Sequence, residues 1–156
     1  MTNDQLSYAN LAAQPAAYRT GVAYEALVAF VRGEQAALGY TRPQYWMPRH
    51  LSKHDISPDG HGMTVPELRQ AMREYLGTED DLDAEAGTLL ERGWATRDDA
   101  ERLWITEAGD RARACLKQHA PAIRDRIHEG IDEADYVTAL KVLRRMIADT
   151  GGSTAP

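Results

Sequence analysis

Apolar residues recur at helical spacing along most of the chain, which predicts a mainly helical protein. The first long stretch covers residues 15–38, and Gly39 ends it. Its apolar positions are Tyr24, Leu27, Val28, Val31 and Leu38. A second helix is predicted from Thr41 to about His54, although Pro48 lies inside it.

Capping signals place two shorter helices in the middle of the chain. The sequence Thr64-Val65-Pro66-Glu67 is a capping box with proline in the first turn, and it predicts a helix through Leu76. Gly77 ends that helix, and Thr78 is expected to cap the next one, which runs to about Arg92. Four apolar residues on one face of this fourth helix are predicted to point inward: Leu82, Ala86, Leu89 and Leu90.

A β-hairpin and two more helices are predicted for the rest of the chain. The two short strands are Trp94-Ala95-Thr96 and Leu103-Trp104-Ile105, joined by a polar turn. Thr106 then caps a long helix towards Gly130, with a break expected at Pro121, and Asp132 opens the last helix. The apolar stripe of the last helix is Tyr136, Leu140, Leu143, Met146 and Ile147. Such wide stripes at both ends of the chain favour pairing with a second copy.

Composition indicates one globular domain. The chain has 156 residues, of which 43% are hydrophobic and 27% charged, and its net charge is −6. A protein that binds duplex DNA usually carries a basic face, so this charge counts mildly against nucleic acid. Cys115 is the one cysteine, so an intrachain disulfide is excluded. The polar N-terminus lacks a signal-peptide pattern and no apolar run is long enough for a bilayer, so we expect a cytoplasmic protein with no membrane partner.

Negative charge is concentrated in one segment, from Glu74 to Glu91. This segment contains no Lys or Arg. Its seven carboxylates are Glu74, Glu79, Asp80, Asp81, Asp83, Glu85 and Glu91. The segment contains the fourth predicted helix, so any function assigned to that helix must accommodate a strongly negative surface.

The order of elements and three motifs resemble the MarR (multiple antibiotic resistance regulator) family of winged helix-turn-helix transcription factors. The motifs are Pro43-Gln44-Tyr45-Trp46, Leu90-Glu91-Arg92-Gly93-Trp94 and Leu103-Trp104-Ile105-Thr106-Glu107-Ala108-Gly109. The similarity covers about residues 15–149, within a single domain over 1–156. It implies a winged-helix lobe at 41–105, a homodimer joined through terminal helices 15–38 and 106–149, and often a small-molecule pocket where the lobe meets the dimerisation region.

The sequence departs from the family pattern where the family reads DNA. The predicted recognition helix is acidic, with Asp80, Ala84, Gly87, Thr88 and Glu91 expected on its outward face. Five or six carboxylates near several phosphates would cost on the order of a few kcal/mol per lobe. That is comparable with the margin of about 4–10 kcal/mol between specific and non-specific binding. If DNA is bound, the candidate contacts are Arg69, Arg73, Thr88, Arg97 and Arg102.

A ligand pocket is expected near Pro48, because a kink there would open the second helix. The resemblance places tyrosines of the first helix nearby. The candidate ligand-binding residues are Tyr18, Tyr24, Trp46, Arg49 and His50. The alternative is that Trp46 belongs to the core while Arg49 and His50 point to water.

Other candidate chemistry is weaker. His50 and His54 are four residues apart and could share a metal on one helical face with His61 nearby, but solvated histidines are the preferred interpretation, so neither a metal nor a cofactor is predicted. Cys115 is interpreted as a packed thiol. No catalytic triad, phosphate loop or dinucleotide fingerprint is present, and His50 is the best acid or base if the protein is an enzyme.

The sequence therefore predicts a dimeric regulator that couples a small effector to DNA binding. One alternative is a winged-helix scaffold that has lost ordinary DNA binding and binds or transforms a small metabolite. Another is an acidic surface that mimics nucleic acid and occupies a basic protein partner.

Overall fold

The computed structural model describes residues 7–154, so the first six residues of the polar N-terminus and the last two of the tail lie outside it. Eight helices and two strands are present in this part of the chain. The helices are α1 Tyr8–Ala12, α2 Ala16–Ala37, α3 Arg42–Leu51, α4 Val65–Ala71, α5 Leu82–Glu91, α6 Glu107–Lys117, α7 Ala120–His128 and α8 Glu133–Asp149, and the strands are β1 Ala95–Arg97 and β2 Leu103–Ile105. None of the helices within 7–154 is long and apolar enough to cross a membrane.

Helix starts follow the capping signals closely. Thr41 and Thr64 each accept a hydrogen bond from the third residue of their helix, and both capping boxes are complete. Thr106 caps α6 and Asp132 caps α8 in the same way, through side-chain oxygens that accept backbone N–H bonds. These four predicted starts are confirmed.

Three predicted boundaries were wrong. Helix α3 ends at Leu51, not near His54, and α4 ends at Ala71, not Leu76. The cap of α5 is Asp81, which accepts from the Ala84 N–H, and Thr78 belongs to the preceding turn. In each case the sequence signal lay within a few residues of the observed helix terminus, where a last turn of helix is hard to distinguish from a turn outside it.

The long helix expected after the hairpin is two helices. Helix α6 ends at Lys117 and α7 starts at Ala120, so the chain breaks just before Pro121, as the missing N–H of proline favours. Helix α3, by contrast, continues through Pro48, which is fully buried, and the Pro48 carbonyl accepts from Ser52 at 3.0 Å. Core packing therefore holds α3 helical where the sequence predicted an opening.

The hairpin is confirmed, with Thr96 opposite Trp104 in an antiparallel register. Met63 adds an isolated bridge to Leu103 on the other edge, with N–H···O distances of 3.1 and 2.8 Å in the two directions. This bridge ties the segment before α4 to the hairpin, which places the hairpin beside the α4–α5 pair.

The core lies among α3, α4, α5 and the hairpin. Its fully buried side chains include Met47, Leu51, Leu68, Met72, Leu82, Ala86, Leu89 and Leu103. Three of the four predicted inward residues of α5 are buried, and Leu90 packs partly against the same cluster.

The described part of the chain divides into two compact units, one up to residue 120 and the other from residue 121 onward. In the first unit, α2 exposes large apolar side chains, among them Tyr18, Val22, Tyr24 and Leu27. In the second unit, α8 exposes Val137, Leu140, Val142, Met146 and Ile147. Within that unit, the His128 ring lies 4.3 Å from the Tyr136 ring.

Candidate functional site

Helices α4 and α5, joined by a turn, form a helix-turn-helix with the hairpin beside it. Because Leu82, Ala86 and Leu89 bury one face of α5, the opposite face is left at the surface. A Cβ built on Gly87 would meet nothing within 4 Å, so that side of the helix is open. The Thr88 hydroxyl donates to the Ala84 carbonyl at 3.3 Å and lies on the same open side. Helix α5 is thus free to approach a flat or grooved partner.

Asp80 does not belong to this open face, contrary to the prediction. It precedes α5, and its carboxylate receives two parallel hydrogen bonds from Arg32 of α2, at 2.9 and 2.7 Å. The Gly77 N–H donates to it as well, at 2.7 Å. The Asp80 side chain is only 5% exposed, so its charge is turned towards α2 and away from any partner of α5.

The environment of Asp80 keeps it ionised. Burial acts to raise the pKa of its carboxyl group, but the hydrogen bonds from Arg32 and from the Gly77 amide outweigh burial, so the pKa lies below its ordinary value. Glu79 lies 3.3 Å from Arg32 Nε but is itself well exposed. Arg32 therefore joins α2 firmly to the turn before α5 through Asp80 and loosely through Glu79.

Other carboxylates of the acidic segment also have local partners. Asp81 caps α5, and Glu85 accepts from the buried Gln44 side chain at 2.9 Å. Asp83 pairs with Arg69 of α4 at 3.1 Å, with both side chains more than half exposed. The segment is negative as predicted, but much of its charge serves to position α5.

The hairpin turn, called the wing here (residues 97–102), is organised by Asp98. Its carboxylate accepts from the Ala100 and Arg102 N–H groups at 2.9 Å each and from Trp104 Nε1 at 2.7 Å. The bond from Trp104 is the largest of the causes that hold the pKa of Asp98 below its ordinary value. The wing is short, but these bonds give it a fixed shape.

The arginines predicted to contact DNA are all close to carboxylates. Arg102 donates to Glu67 of α4 at 2.8 and 3.1 Å and to the Gly62 carbonyl at 2.7 Å, which ties the wing to α4. Arg97 lies 3.5 Å from Glu101. Arg73 lies 3.8 Å from Glu74 and is mostly exposed, like Arg69. A phosphate group would have to compete with these pairs.

The residues predicted to form a ligand pocket do not surround one space. Trp46 stacks on Tyr75 with ring centroids 4.1 Å apart, and the Arg49 guanidinium lies 4.5 Å from the Trp46 ring while it pairs with Asp55. His50 is buried, and burial is the largest cause that lowers its pKa. These side chains fill the space beside α3. Of the two tyrosines, Tyr18 is exposed on α2 and Tyr24 lines a different cleft.

That cleft, here the α2 cleft, has a volume of about 470 Å³. It lies between α2, which supplies Tyr24, Val28 and Arg32, and the turn at 77–79. Sequence reasoning missed Arg32 and Thr78 as lining residues. The spacing of Tyr24, Val28 and Arg32, four residues apart, was the available signal, because it puts all three on one side of a helix.

Comparison with solved structures identifies the fold. No profile of a known family matches the chain, and no curated protein does. The reduced form of MarR from E. coli superposes with a TM-score of 0.63 at 14% identity, covering 86% of this chain and 94% of that one. A MarR family protein of Mycobacterium tuberculosis gives 0.62 at 18% identity, covering 88% and 95%. The chain has the winged-helix fold of the MarR family.

A third MarR-type structure supports the same assignment, that of a putative MarR family transcriptional regulator from Clostridium acetobutylicum. It gives a TM-score of 0.61 at 14% identity and covers 88% of this chain and 98% of that one. By its place as the second helix of the helix-turn-helix, α5 is called the recognition helix below, a name for its position in the fold.

The charge of this chain is distributed unevenly along the sequence. The segment from Thr64 to Ile105, which contains α4, α5 and the wing, holds eleven carboxylates and five arginines, an excess of six. The net charge of the whole chain is also −6, so the residues outside this segment have no net charge. All of the excess negative charge therefore lies in the segment that contains the helix-turn-helix and wing.

His50 and Cys115 are not placed as predicted, whereas His54 and His61 are exposed, as the preferred interpretation expected. Because α3 ends at Leu51, the buried His50 and the exposed His54 do not share a helical face. Among residues 7–154 there is no group of three or more His, Cys, Asp or Glu side chains arranged to hold a metal ion. The interpretation of Cys115 as a packed thiol was wrong, since it is exposed on α6.

Proposed function

We propose that this protein is a homodimeric regulator of transcription that binds duplex DNA through the recognition helix and the wing. The support is geometric. The open face of α5 presents Gly87 and Thr88, and the wing beside it presents Arg97 and is held in a fixed shape by Asp98. A narrow helix face with small side chains fits the width of a major groove, about 12 Å.

The observation that carries the proposal is the inward orientation of Asp80. With Asp80 bound to Arg32, the open face loses one of the carboxylates that the sequence had placed there, and Glu85 is turned to Gln44. Each unit charge about 8 Å from a phosphate costs roughly 0.5 kcal/mol in water before screening. The repulsion is therefore smaller than the sequence predicts, although Asp83 and Glu91 remain exposed.

Dimerisation is proposed through the terminal helices. In the first unit α2 exposes Tyr24 and Leu27, and in the second unit α8 exposes Leu140 and Met146, each more than 40% accessible. Contiguous exposed apolar side chains on a small protein mark a surface that associates. A second copy is the natural partner, because a two-fold arrangement buries the same faces on both chains.

The α2 cleft is the proposed effector site, in place of the packed Trp46 region. An effector there would lie against Arg32 and Thr78, next to the weakly held Glu79. By competing for Arg32 it would change the turn that precedes the recognition helix. The protein would then couple the effector to DNA through differential binding to two arrangements of this turn.

The test is fluorescence anisotropy with the DNA upstream of the protein's own gene, at low salt. We expect saturable binding that Thr88→Glu weakens by at least about tenfold, since the new carboxylate faces the groove. Pro58→Glu, on the exposed loop after α3, adds the same charge outside the terminal helices, the helix-turn-helix and the wing, and should bind as the parent does. Absence of binding at micromolar protein would refute the proposal.

The uneven charge favours a second candidate, a winged-helix scaffold that has left DNA and binds a small metabolite in the α2 cleft. Its motivating observation is the excess of six carboxylates between Thr64 and Ile105. The same titration separates the two, because this candidate requires no DNA binding even at low salt. A catalytic role for His50 has no support, since it is buried and does not line the α2 cleft.

A further inference from the structure

A second cavity lies between the loop that follows α3 and the first turn of α6. Its volume is about 490 Å³, within the usual range for small-molecule sites. The side chains that matter for recognition are Lys53, His54, Asp59, Ile105, Glu107 and Asp110. None of them belongs to the helix-turn-helix surface or to the α2 cleft. We call it the α6 cavity.

The walls of the α6 cavity are held in place by the fold. Ser52 is fully buried, and its hydroxyl donates to Asp110 and accepts from the His54 N–H at 3.1 Å. Gly60 has a φ of +75°, and a Cβ there would lie 3.2 Å from the Cβ of Lys53, so the loop closes tightly against Lys53. Because the loop and helix are fixed in this way, a ligand would meet a preformed site.

Charges of both signs line the α6 cavity. Lys53 and His54 come from the chain directly after α3, and they can donate to an anion. Asp59 comes from the far end of the same loop and Glu107 from the first turn of α6, and both can accept from a cation. A ligand with a single charge would meet like charge on part of the wall, which costs free energy. In a ligand that carries both a negative and a positive group, each group would meet a side chain of opposite charge.

Glu107 is more available to bind a ligand than Asp110 is. Asp110 is already bound by Ser52 and by Arg113 at 2.8 Å. Glu107 pairs with Arg111, but both side chains are more than 60% exposed, and such pairs contribute little in water. Glu107 can therefore exchange Arg111 for a ligand ammonium group at small cost, whereas Asp110 serves the wall.

We propose that the α6 cavity binds a free α-amino acid with an aliphatic side chain. Its carboxylate binds Lys53 and His54, its ammonium group binds Asp59 and Glu107, and its side chain packs on Ile105. The bound ligand joins the 52–60 loop to the start of α6, so binding stabilises the folded chain. This site is independent of DNA and of the α2 cleft.

The test uses L-leucine as the probe, with 3-methylbutylamine and 4-methylpentanoate as its two halves, each measured by calorimetry and by thermal unfolding. At ten times its Kd, L-leucine should raise Tm by about 3 °C. Neither half should bind measurably, because each leaves one pair of charges unmatched. Equal binding of one half would overturn the assignment to an amino acid.

Two variants place the ligand in the α6 cavity. Lys53→Met keeps the aliphatic stem of the side chain against Gly60, and Glu107→Gln keeps the shape of the side chain. Each substitution should weaken L-leucine binding by about tenfold or more, because each removes one charge-assisted hydrogen bond to the ligand. Arg111→Gln breaks the Glu107 pair without removing a cavity charge and should leave affinity unchanged. No binding by the parent at millimolar L-leucine, or undiminished binding by both variants, would overturn the proposal.

Discussion

At the scale of single residues, two buried carboxylates, Asp80 and Asp55, join elements that are far apart in sequence. Asp80 and Arg32 are 48 residues apart. Asp55 accepts from Arg49, from Arg113 at 3.1 Å and from Lys117 at 3.1 Å, so it connects α3 to α6. Burial opposes ionisation of Asp55, yet the bonds from Arg49 and Lys117 keep its pKa below the ordinary value. The ionised state of each buried carboxylate therefore depends on its cationic partners.

Asp80→Asn is expected to destabilise the fold by about 3 kcal/mol, because it leaves the Arg32 guanidinium without its buried charged partner and with only the exposed Glu79 beside it. Chemical denaturation measures this. Asp83→Asn, which removes an exposed partner of Arg69, is the matched control and should change stability by about 0.5 kcal/mol or less. Equal effects of the two substitutions would show that the Asp80 pair contributes no more than a surface pair.

The pH dependence of stability should also change in Asp80→Asn. The pKa of Asp80 is depressed in the folded state, so its contribution is complete above the unfolded pKa, about 4, and is lost as pH falls through the lower folded value. The variant should therefore lose less stability than the parent between about pH 5 and 3. Parallel stability curves over this range would contradict the prediction.

Gly109→Ala is expected to destabilise the protein by more than about 2 kcal/mol, because its Cβ would lie 1.9 Å from the Trp94 carbonyl oxygen. That oxygen accepts from the Thr106 N–H at 3.0 Å, so neither group can move aside freely. Gly33→Ala in α2 is the control. A Cβ there meets nothing within 4 Å, and the substitution should stabilise by up to about 1 kcal/mol. Thermal unfolding of both variants checks the contrast.

At the scale of elements, the sequence predicted what local chemistry determines. The predicted helix starts at Thr41 and Thr64 are correct, and the capping box that the sequence showed at Thr64 needs only a partner three residues away. The hairpin and the buried face of α5 followed from alternation and helical spacing. These signals need no knowledge of distant contacts.

What the sequence did not predict depends on distant partners. Asp80 looked like a residue of the recognition helix, because nothing nearby in sequence indicates Arg32. Trp46 was predicted to line a pocket beside Pro48, because nothing nearby in sequence indicates its stacking partner, Tyr75, in the turn after α4. Pro48 suggested an opening in α3, but burial in the core holds the helix continuous. Tertiary packing overrode the local preference in each case.

Asp83→Asn should strengthen DNA binding by about threefold, since it removes an exposed charge from the recognition helix and releases Arg69. Anisotropy titration against the same fragment measures the change. Asp149→Asn, which removes an exposed partner of Arg145 on α8, should leave affinity unchanged. If both substitutions strengthen binding equally, the effect is one of total charge and not of the recognition helix.

At the scale of the whole molecule, the exposed apolar faces of α2 and α8 support the proposed dimer. Leu140→Glu should convert the proposed dimer to a monomer, because it places a charge in an apolar interface. Lys141→Glu, the next residue around α8, changes charge by more without removing an apolar side chain and should remain dimeric. Light scattering after size exclusion gives both masses. A monomeric parent would contradict the proposal of a dimer.

Salt should affect DNA binding less than is usual. Proteins that neutralise six to ten phosphates show slopes of log K against log salt of about −5 to −9. Here the predicted contacts, such as Arg69 and Arg102, exchange carboxylates for phosphates, so fewer ions are released. We expect a slope between about −3 and 0 over 20–200 mM salt. A slope steeper than about −5 would show that these pairs do not restrain the arginines.

The bond between Arg32 and Asp80 has a consequence for communication between distant surfaces. Arg32 is on the same helix as the exposed side chains Tyr24 and Leu27, and Asp80 is next to Asp81, the residue from which the recognition helix starts. In the proposed dimer, a rotation of α2 about its own axis would move the Arg32 guanidinium and, through its two hydrogen bonds of 2.9 and 2.7 Å to Asp80, the first turn of α5. The proposed association of two copies and the proposed DNA contact would then be coupled through this one ion pair.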